Sequence, residues 1–299
     1  NSFNADENQT AIGTVTATDA DGDQITYSID SNEININSTS GVLTFVSTPD
    51  YETKSSYTAI VTASDGVNSA TQNITVNITN LNDNSPEITS SSTFSADENQ
   101  TAIGAVSATD PDGDGIVYSI SGSEININSA SGVLTFVAAP DYETKSSYTA
   151  TVTASDGVNL VTQNITVNIN NLNDNEPVFT GNTAFDADEN QTAIGAVSAT
   201  DPDGGTITYS IAGSEILIDS SSGVLTFVAA PDYETKNTYE VNVIATDSGN
   251  SQASALITIS INNLNDNTPE ITSSSSFSVD ENNNSIGQLE ATDADGDDI

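Results

Sequence analysis

Acidic side chains are clustered rather than evenly spread along this 299-residue chain. Within residues 1–85 the clusters fall at residues 6–8, 19–23, 50–52 and 82–84, with a single Asp65 besides. Each lies at a predicted turn or strand end, so carboxylates distant in sequence can converge at one point. Such carboxylates repel one another unless a cation lies between them. A hard divalent ion fits these oxygen ligands, and calcium fits best because it accepts about 6 to 8 oxygens in loose geometry.

Three alternative origins of the clusters fit the sequence less well. An acidic coat that keeps the protein soluble accounts for scattered acids such as Glu33 and Glu87, but not for the clustering. The preference of Asp and Asn for turns accounts for any single cluster, but for four together less well. An EF-hand needs Gly at the sixth place of its loop and Glu at the twelfth, whereas Gly22 stands fourth in the segment that starts at Asp19.

The composition excludes several classes of function. The chain has 43 acidic residues, 3 Lys plus Arg, no His and no Cys, and its formal charge is -40. Imidazole and thiolate chemistry, disulfides and ordinary zinc sites are therefore absent. Three cations cannot neutralise a phosphate backbone, so nucleic acid is not an expected partner. No apolar run approaches the roughly 20 residues of a membrane span, so we expect no direct membrane insertion.

Internal repeats organise the chain. The string ADEN starts at Ala5, Ala96 and Ala187, and VDEN starts at Val279, at intervals of 91, 91 and 92 residues. PDYETK and NLNDN recur with the same spacing. A period of about 90 residues is typical of small domains in a row rather than of solenoid units. The predicted domains are three repeats and a partial fourth, at residues 1–85, 86–176, 177–268 and 269–299.

Alternating apolar residues predict β-strands and no helix. Ile25, Tyr27 and Ile29 share one phase, with polar residues between them. Tyr27, Tyr57 and Phe45 are expected in the core. Seven short strands are predicted in the first repeat, near residues 3–5, 13–18, 25–29, 33–36, 42–46, 56–63 and 72–80. This number in about 90 residues predicts tandem seven-stranded Greek-key β-sandwiches of immunoglobulin-like architecture, an all-β fold in an elongated array.

Several motifs in a fixed order resemble the cadherin family. Residues 6–8 resemble the family's PEN motif, residues 50–52 its LDRE, residues 80–84 its DxNDN linker and residues 110–112 its DxD. The resemblance covers the whole chain and implies cadherin-like repeats, expected in a bacterial surface adhesin. Asn80, Asn171 and Asn263 depart from the first Asp of the linker motif. The absence of Trp leaves the family's tryptophan-anchored strand exchange unsupported.

The resemblance also implies calcium ligands, with about three ions at each junction between repeats. The ligands implied at the first junction are Glu7, Asp50, Glu52, Asn82, Asp83, Asn84, Asp110, Asp112 and Asp156, with the backbone carbonyls of Leu81 and Asn84. Those at the second are Glu98, Asp141, Glu143, Asn173, Asp174, Asn175, Asp201, Asp203 and Asp247, with that of Leu172. Those at the third are Glu189, Asp232, Glu234, Asn265, Asp266, Asn267, Asp293 and Asp295, with that of Leu264.

The expected function is that of a calcium-binding adhesion or spacer module, in which junction calcium stiffens a rod. We expect it to be extracellular or on the cell surface, secreted or anchored through segments outside this sequence. Expected partners are calcium and either like chains or cell-surface glycans and proteins, and no enzyme is expected. One alternative is a carbohydrate-binding surface module, against which the lack of Trp for sugar stacking speaks. Another is a glycoside hydrolase with paired carboxylates such as Asp50 and Glu52.

Overall fold

The computed structural model describes residues 1–299 and contains strands but no helix. The chain divides into two units, Asn1–Asn170 and Asn171–Ile299. In the first unit, the first sandwich contains β1 (Ser2–Asp6), β2 (Ala11–Thr14), β3 (Thr26–Asp30), β4 (Ile34–Ile36), β5 (Val42–Phe45), β6 (Ser56–Ser64) and β7 (Ser69–Thr79). Four of its strands form one sheet in the order β1-β7-β6-β3, and three form the other in the order β2-β5-β4.

The second sandwich, in the same unit, repeats this arrangement. Its strands are β8 (Glu87–Ile88), β9 (Thr93–Asp97), β10 (Ala102–Ala105), β11 (Ala108–Thr109), β12 (Val117–Ile120), β13 (Ile125–Ile127), β14 (Val133–Phe136), β15 (Ser147–Ser155) and β16 (Leu160–Asn170). The sheets have the orders β12-β15-β16-β9 and β10-β14-β13. The short strands β8 and β11 form a separate antiparallel ribbon.

The second unit contains the third sandwich and two short ribbons. The strands of the sandwich are β17 (Val178–Phe179), β18 (Ala184–Asp188), β19 (Ala193–Ala196), β20 (Ala199–Thr200), β21 (Thr208–Ile211), β22 (Ile216–Ile218), β23 (Val224–Phe227), β24 (Thr238–Thr246) and β25 (Gln252–Asn262). One ribbon pairs β17 with β20, and the other pairs β26 (Glu270–Ile271) with β27 (Ala291–Thr292). The sheet orders of the second sandwich recur here, as β18-β25-β24-β21 and β19-β23-β22.

The core of each sandwich lies between its two sheets. In the first, Val61 and Val76 of the larger sheet pack with Leu43 and Phe45 of the smaller one, and all four are buried. Along β7 every second residue from Ile74 to Ile78 is buried, as the alternating pattern predicts. The core positions expected for Phe45, Tyr27 and Tyr57 are confirmed. Phe45 is buried, and Tyr27 and Tyr57 pack against the same cluster.

A tight turn between β4 and β5 explains one recurring glycine. Gly41 has a φ of 69°, and an added Cβ would come within 2.2 Å of the carbonyl oxygen of Val15. The two residues are this close because Val15 N donates to Gly41 O at 2.9 Å. The turn is closed by Asn37, whose side-chain oxygen accepts hydrogen bonds from two following backbone amides. Only Gly can occupy this position without moving the backbone.

The predicted second strand is shorter and earlier than expected. It covers Ala11–Thr14 rather than residues 13–18. Its pairing with β5 shifts register between Ala11 and Gly13, and beyond Thr14 the backbone leaves the ladder. There the amide of Ala17 donates to the hydroxyl of Tyr27 at 2.9 Å instead of to a strand. Alternation of apolar residues continues past the point at which backbone pairing ends, so the pattern alone overestimates the strand.

Candidate metal centre

A buried glutamate lies at the end of the first strand. Glu7 is only 2% exposed. One of its carboxylate oxygens accepts from Tyr51 N at 2.8 Å and the other from Leu81 N at 2.7 Å. Both backbone donors belong to segments that the sequence marks as acidic, at residues 50–52 and 80–84. These bonds fix the carboxylate and satisfy part of its requirement for hydrogen bonds, because each oxygen retains a second lone pair.

The residue after Glu7 turns the chain. Asn8 has a φ of 62°, which Asn tolerates better than most residues. Its backbone amide donates to Pro49 O at 3.0 Å, and its side-chain amide donates to the Asp83 carboxylate. Asn8 therefore joins the segment after β1 to the turn before β6 and to the linker. Asn190 has the same φ within a few degrees and the same side-chain bond, to Asp266.

Three carboxylates meet next to this turn. Oxygens of Glu7, Glu52 and Asp83 lie within 4.8 Å of one another. Partial desolvation raises the pKa of Glu52 above its ordinary value, and repulsion from Glu7 and Asp112 raises it further. The raised pKa of Glu52 means that a negative charge at this position is unfavourable without a nearby cation. Such an arrangement suits a cation with oxygen ligands.

The linker residues hold an aspartate of the second sandwich. Asp83 N and Asn84 N donate to Asp112 Oδ2 at 3.1 and 2.9 Å, and Asn84 Nδ2 donates to Asp112 Oδ1 at 2.8 Å. Asn80 Nδ2 donates to the backbone carbonyl of Asp112 at 2.8 Å. Partial desolvation acts to raise the pKa of Asp112, but these donors outweigh it and lower the pKa below its ordinary value. Asp112 is thus held as a carboxylate.

A second carboxylate group follows within the second sandwich. Oxygens of Asp110, Asp112 and Asp114 lie within 4.8 Å of one another. Asp110 Oδ1 accepts from the backbone amides of Asp112 and Asp114 at 3.0 and 3.3 Å. Asp110 Oδ2 is buried and has no hydrogen-bond partner, and the same is true of Asp156 Oδ2. A buried carboxylate oxygen without a donor is unfavourable unless a cation binds it, so these orphaned atoms fit a hard metal ion.

Asp156 follows β15 and meets the linker through amides. Its Oδ1 accepts from Val158 N and Asn159 N at 2.7 and 2.6 Å. Partial desolvation opposes its ionisation, but these backbone bonds outweigh it and lower its pKa. Asn159 Nδ2 in turn donates to Asn82 Oδ1 at 3.1 Å and to the carbonyl of Asn84 at 2.8 Å. The loop after β15 therefore contacts the linker directly.

Two predicted ligands of the first set have their oxygens engaged in local turns. Asp50 Oδ1 accepts from Thr53 N at 3.3 Å, and Asp50 Oδ2 accepts from Thr53 Oγ1 at 2.8 Å. The Thr53 hydroxyl bond is the main cause of the lowered pKa of Asp50. The carbonyl of Leu81 accepts from Asp83 N at 3.1 Å. These contacts leave lone pairs on each oxygen, so they order the residues without excluding metal binding.

The third set lies within the second unit and repeats the first closely. Glu189 is 2% exposed and accepts from Tyr233 N at 2.8 Å and Leu264 N at 2.7 Å. Two groups have their carboxylate oxygens within 4.8 Å, namely Glu189, Asp232 and Glu234, and Glu234, Asp266 and Asp295. Asp293 Oδ1 accepts from Asp295 N at 3.0 Å, and Asn265 Nδ2 donates to Asp297.

The second set divides between the two units. In the first unit, Glu98 is 2% exposed and accepts from Tyr142 N at 2.7 Å. Asp141 accepts from Thr144 N in the same turn, which also contains Glu143. In the second unit, Asp203 accepts from the backbone amides of Asp174 and Asn175 at 2.9 and 2.7 Å. Asp201 Oδ2 is buried without a partner. The amide of Asn173 fits its surroundings with Nδ2 facing Asp247 Oδ2 at 2.7 Å, and Leu172 precedes it as an exposed residue.

Sequence reasoning missed three participants. Asp114 completes the second carboxylate group, and its signal was the third Asp of the spacing DxDxD, from Asp110 to Asp114. Asn159 binds the linker, but nothing in a turn sequence tells which way an amide side chain points. Asn8 binds Asp83, and its signal was the regular recurrence of Asn after the motif glutamate.

The three lysines of the chain are all used elsewhere. Lys54 Nζ lies 2.6 Å from Glu33 Oε1 and 4.2 Å from the centroid of the Tyr57 ring. Lys145 binds Glu124 and Tyr148 in the same way, and Lys236 binds Glu215 and Tyr239. We call these three groups the lysine clamps. The carboxylate groups at the linkers therefore have no protein cation among them.

The match to a family model decides the relationship of this chain to known proteins. The model described as "Cadherin domain" matches residues 1–79, 92–170 and 183–262. The chain belongs to the cadherin family. This confirms the resemblance seen in the motifs, and the all-β tandem-sandwich fold is confirmed as well. The extracellular location expected from the sequence is also confirmed.

Two curated human relatives illustrate the similarity. The chain is 31% identical to human protocadherin-15 over 318 aligned residues, which cover 94% of this chain and 16% of that protein. It is 33% identical to human protocadherin gamma-A2 over 305 residues, which cover 88% of this chain and 33% of that protein. The chain thus spans a third or less of the length of either relative.

Solved structures agree on the fold. A structure of mouse cadherin-23 EC22-24 superposes with a TM-score of 0.70 at 24% identity, covering 87% of this chain and 95% of that one. A protocadherin gammaB7 EC3-6 structure, described as a cis-dimer, gives a TM-score of 0.76 at 23% identity, covering 98% of this chain and 82% of that one. The chain itself has no helix long and apolar enough to cross a bilayer.

Proposed function

We propose that this cadherin-repeat chain is a calcium-binding adhesion or spacer module whose junction ions restrain neighbouring repeats. The observation that carries the proposal is the gathering of carboxylates from three parts of the chain. Glu52 comes from the first sandwich, Asp83 from the linker and Asp112 from the second sandwich, and one linker amide contacts all three. No lysine takes part, so an external cation is the natural counter-charge.

The proposed ligands retain the sets expected from the sequence. At the first junction, Glu7, Glu52 and Asp83 form one oxygen group, and Asp110, Asp112 and Asp156 supply oxygens near the linker. The orphaned oxygens of Asp110 and Asp156 would each gain a partner. Bound calcium supplies positive charge and a flexible set of about 6 to 8 coordination places. We propose about three ions per junction, with the predicted domain boundaries at the linkers.

The mechanical consequence follows from where the ligands are attached. An ion held by ligands on both sides of a linker can bind only when the two sides are close, so binding selects a restrained geometry. Without the ion, repulsion among the carboxylates favours separation. Extracellular modules bind calcium at roughly 10⁻⁴ to 10⁻³ M, so the junctions should be filled outside a cell and loose where calcium is scarce.

Like chains are the partner that we propose for adhesion. One solved relative of the same fold is described as a cis-dimer, which supports lateral pairing as a candidate arrangement. Sedimentation velocity over a range of protein concentrations, with calcium and with chelator, tests this. A monomer at all concentrations in both conditions would remove like chains as partners.

Small-angle scattering tests the restraint. The 299-residue chain should give a narrower distribution of intramolecular distances in calcium than in excess chelator. The control is a variant with Glu7→Gln, Glu98→Gln and Glu189→Gln, which should respond little to calcium because all three buried glutamates have lost their charge. Identical scattering of the wild-type chain in both conditions would contradict the proposal.

A further inference from the structure

The larger sheet of each sandwich has one face against the core and the other toward solvent. In the first unit its two central strands are β6 and β7 in the first sandwich and β15 and β16 in the second. None of these four strands contains a charged residue. The chain as a whole has 43 acidic residues and 3 Lys plus Arg. The outward faces of these sheets are therefore neutral surfaces on a strongly acidic protein.

Short hydroxyl and amide side chains cover these neutral faces. In the first sandwich, Thr58 of β6 lies opposite Thr75 of β7. In the second, Thr151 Oγ1 donates to Asn164 Oδ1 on the neighbouring strand at 2.8 Å. The pairs that face outward across β15 and β16 are Thr149 with Thr166, Thr151 with Asn164 and Thr153 with Thr162. Side chains of this kind can both donate and accept hydrogen bonds.

A few exposed apolar side chains lie among these polar ones. Ile60 pairs with Asn73 and is 42% exposed. In the second sandwich, Val117 and Leu160 pair with Ser155 from either side and are 59% and 62% exposed. Covering these side chains would remove apolar surface from water, which favours docking of another surface.

The outward acids of the two sheets stand at their margins. They are Asp6 and Asp30 in the first sandwich and Asp97 in the second, each the last residue of an edge strand. Elsewhere the chain offers acids without free cations, because all three lysines are engaged in the clamps. Two copies that met through acidic surfaces would repel each other strongly. The neutral faces allow two copies to approach without that repulsion.

The third sandwich has the same sheet but a charged face. Glu240 stands at the place of Thr58 and Thr149, and Asp186 stands at the place of Ser95. Both acids are exposed, and they lie opposite Thr258 and Ser260 of β25. The neutral face is thus a property of the first two repeats rather than a requirement of the fold.

The area of the neutral faces suits an interface that uses both repeats. Each face is about 36 Å long, from the 11 residues of β7 or β16, and about 14 Å wide across four strands. One face therefore offers roughly 500 Å² in projection, and two offer roughly 1,000 Å². A stable interface takes about 800 Å² from each partner. One face falls short of this area, whereas two faces reach it.

We propose that the neutral faces of the first two sandwiches dock onto the same faces of a second copy of this chain. A surface of hydroxyls and amides can be complementary to itself, as a symmetric dimer requires, whereas carboxylates can only accept. The inference rests on like chains as the proposed partner and names the surface that they use. The outward face of the smaller sheet also lacks charge, but its strands have only three or four residues.

Thr149→Glu tests the surface because it gives the second sandwich the residue that the third carries naturally at Glu240. The same fold already accepts a glutamate at this place, so the variant should fold. Sedimentation equilibrium in saturating calcium should show self-association at least about tenfold weaker than in the wild-type chain, because like charges then meet at the interface. Thr149→Gln adds similar bulk without charge and should stay within about threefold of wild type.

The matched control adds the same charge to the other sheet of the same repeat. Asn126 is exposed on β13 of the smaller sheet, opposite Thr135. Asn126→Glu should associate as the wild-type chain does. Raising the salt from about 0.1 to 1 M shortens the screening length from about 10 to 3 Å, so wild-type association should tighten as the repulsion between acidic copies weakens. An interface built on ion pairs would weaken instead, which would contradict the proposal.

The other outcomes are distinct. Equal association of Thr149→Glu and the wild-type chain overturns this surface but leaves like chains as partners. Equal losses in Thr149→Glu and Asn126→Glu also overturn it, because any added charge would then explain the loss. A wild-type chain that stays monomeric removes like chains and the surface together. Retention of a monomeric wild-type chain, but not of Thr149→Glu, on a neutral polysaccharide column would assign the face to a glycan and overturn the proposal.

Discussion

Two acidic regions at the first sandwich differ in whether the protein supplies a positive charge beside the carboxylates. In the lysine clamp, both carboxylate oxygens of Glu33 accept from Lys54 Nζ, at 2.6 and 2.7 Å, next to the Tyr57 ring. At the first junction, Glu7, Glu52 and Asp83 come within 4.8 Å of one another and receive only amide donors. The chain has few cations, and every one is used in a clamp rather than at a junction.

The contrast separates two kinds of stabilisation. The clamp is complete within the protein, is about half exposed and stabilises a sandwich that already has an apolar core. The junction lacks its own positive charge and includes a glutamate that is only 2% exposed. Its stability must therefore depend on what the solvent supplies. The sandwiches should be insensitive to calcium and the junctions highly sensitive to it.

The largest difference is expected between Glu7→Gln and Glu33→Gln. In Glu7→Gln one of the two backbone amides, of Tyr51 or Leu81, loses its acceptor, and calcium loses a charged ligand. We expect a loss of roughly 1 to 3 kcal/mol in unfolding free energy and at least about tenfold weaker calcium binding. Glu33→Gln should change unfolding free energy by less than about 1 kcal/mol and leave calcium binding unchanged. Chemical denaturation and calorimetry measure both, and equal effects of the two changes would refute the contrast.

Asn80→Asp should give a smaller effect that is confined to the junction. Asn80 Nδ2 donates to the carbonyl of Asp112, and an aspartate cannot make this bond. We expect faster hydrogen exchange at residues 80–84 in chelator and about 1 kcal/mol less favourable calcium binding, as for one lost hydrogen bond. Core strand exchange should not change. Slower linker exchange in the variant would show that the amide is not needed.

Lys54→Met should affect the clamp and leave the junction as it is. The change removes an exposed ion pair and a cation–π contact, each of which contributes about 0.5 to 1 kcal/mol at such sites. Met preserves much of the apolar contact with Tyr57. Denaturation of the variant should show a loss of about 1 kcal/mol or less, with wild-type calcium affinity. A clear loss of calcium binding would mean that the clamp and the junction are coupled.

The smallest effect expected is a dependence of stability on pH in chelator. The pKa of Glu52 in the folded chain is raised above its ordinary 4.5, first by desolvation and then by Glu7 and Asp112. The folded chain therefore binds this proton more tightly than the unfolded chain, and stability rises as pH falls through the raised pKa, with the full gain below 4.5. Asp112 and Asp156 have lowered pKa values, so their contributions are lost only as pH falls below 3.8.

Melting temperatures between about pH 7 and pH 3 check this order. In chelator the melting temperature of the wild-type chain should first rise slightly on acidification and then fall. The melting temperature of Glu52→Gln should still fall at low pH, but its initial rise should be smaller because the contribution of the Glu52 carboxylate is missing. If Glu52→Gln and wild type give the same rise, the repulsion at the junction does not come from this carboxylate.

The sandwich was largely predictable from the sequence because its determinants are local. Alternation along β7 identifies the buried residues Ile74, Val76 and Ile78 without knowledge of the partner strands. The end of β2 was not predictable, because beyond it the amide of Ala17 donates to the hydroxyl of Tyr27, a residue of another strand, instead of to a paired strand. The short strand β8 also lay outside the seven predicted strands, because a two-residue strand carries no pattern of its own. Its partner β11 corresponds to residues 17–18 of the first repeat and so falls within the predicted second strand.

The junction was predictable in its acids but not in its amides. Clustering and spacing identify Glu7, Glu52 and Asp83 as residues that could converge. The side chains of Asn80 and Asn84, by contrast, can donate or accept, and the choice depends on which atoms the fold places around them. Only the three-dimensional arrangement shows Asn84 as a donor to three carboxylates.

Calcium stoichiometry tests the central claim most directly. Equilibrium dialysis would compare the 299-residue chain with a variant in which Glu7, Glu52 and Asp83 are changed to Gln, Gln and Asn, at calcium above roughly 10⁻³ M. If carboxylates at the first junction hold calcium in place of a protein cation, the wild-type chain should retain about three more ions per molecule than the variant. A difference of fewer than about two ions, in a variant whose sandwiches remain folded, would contradict the account.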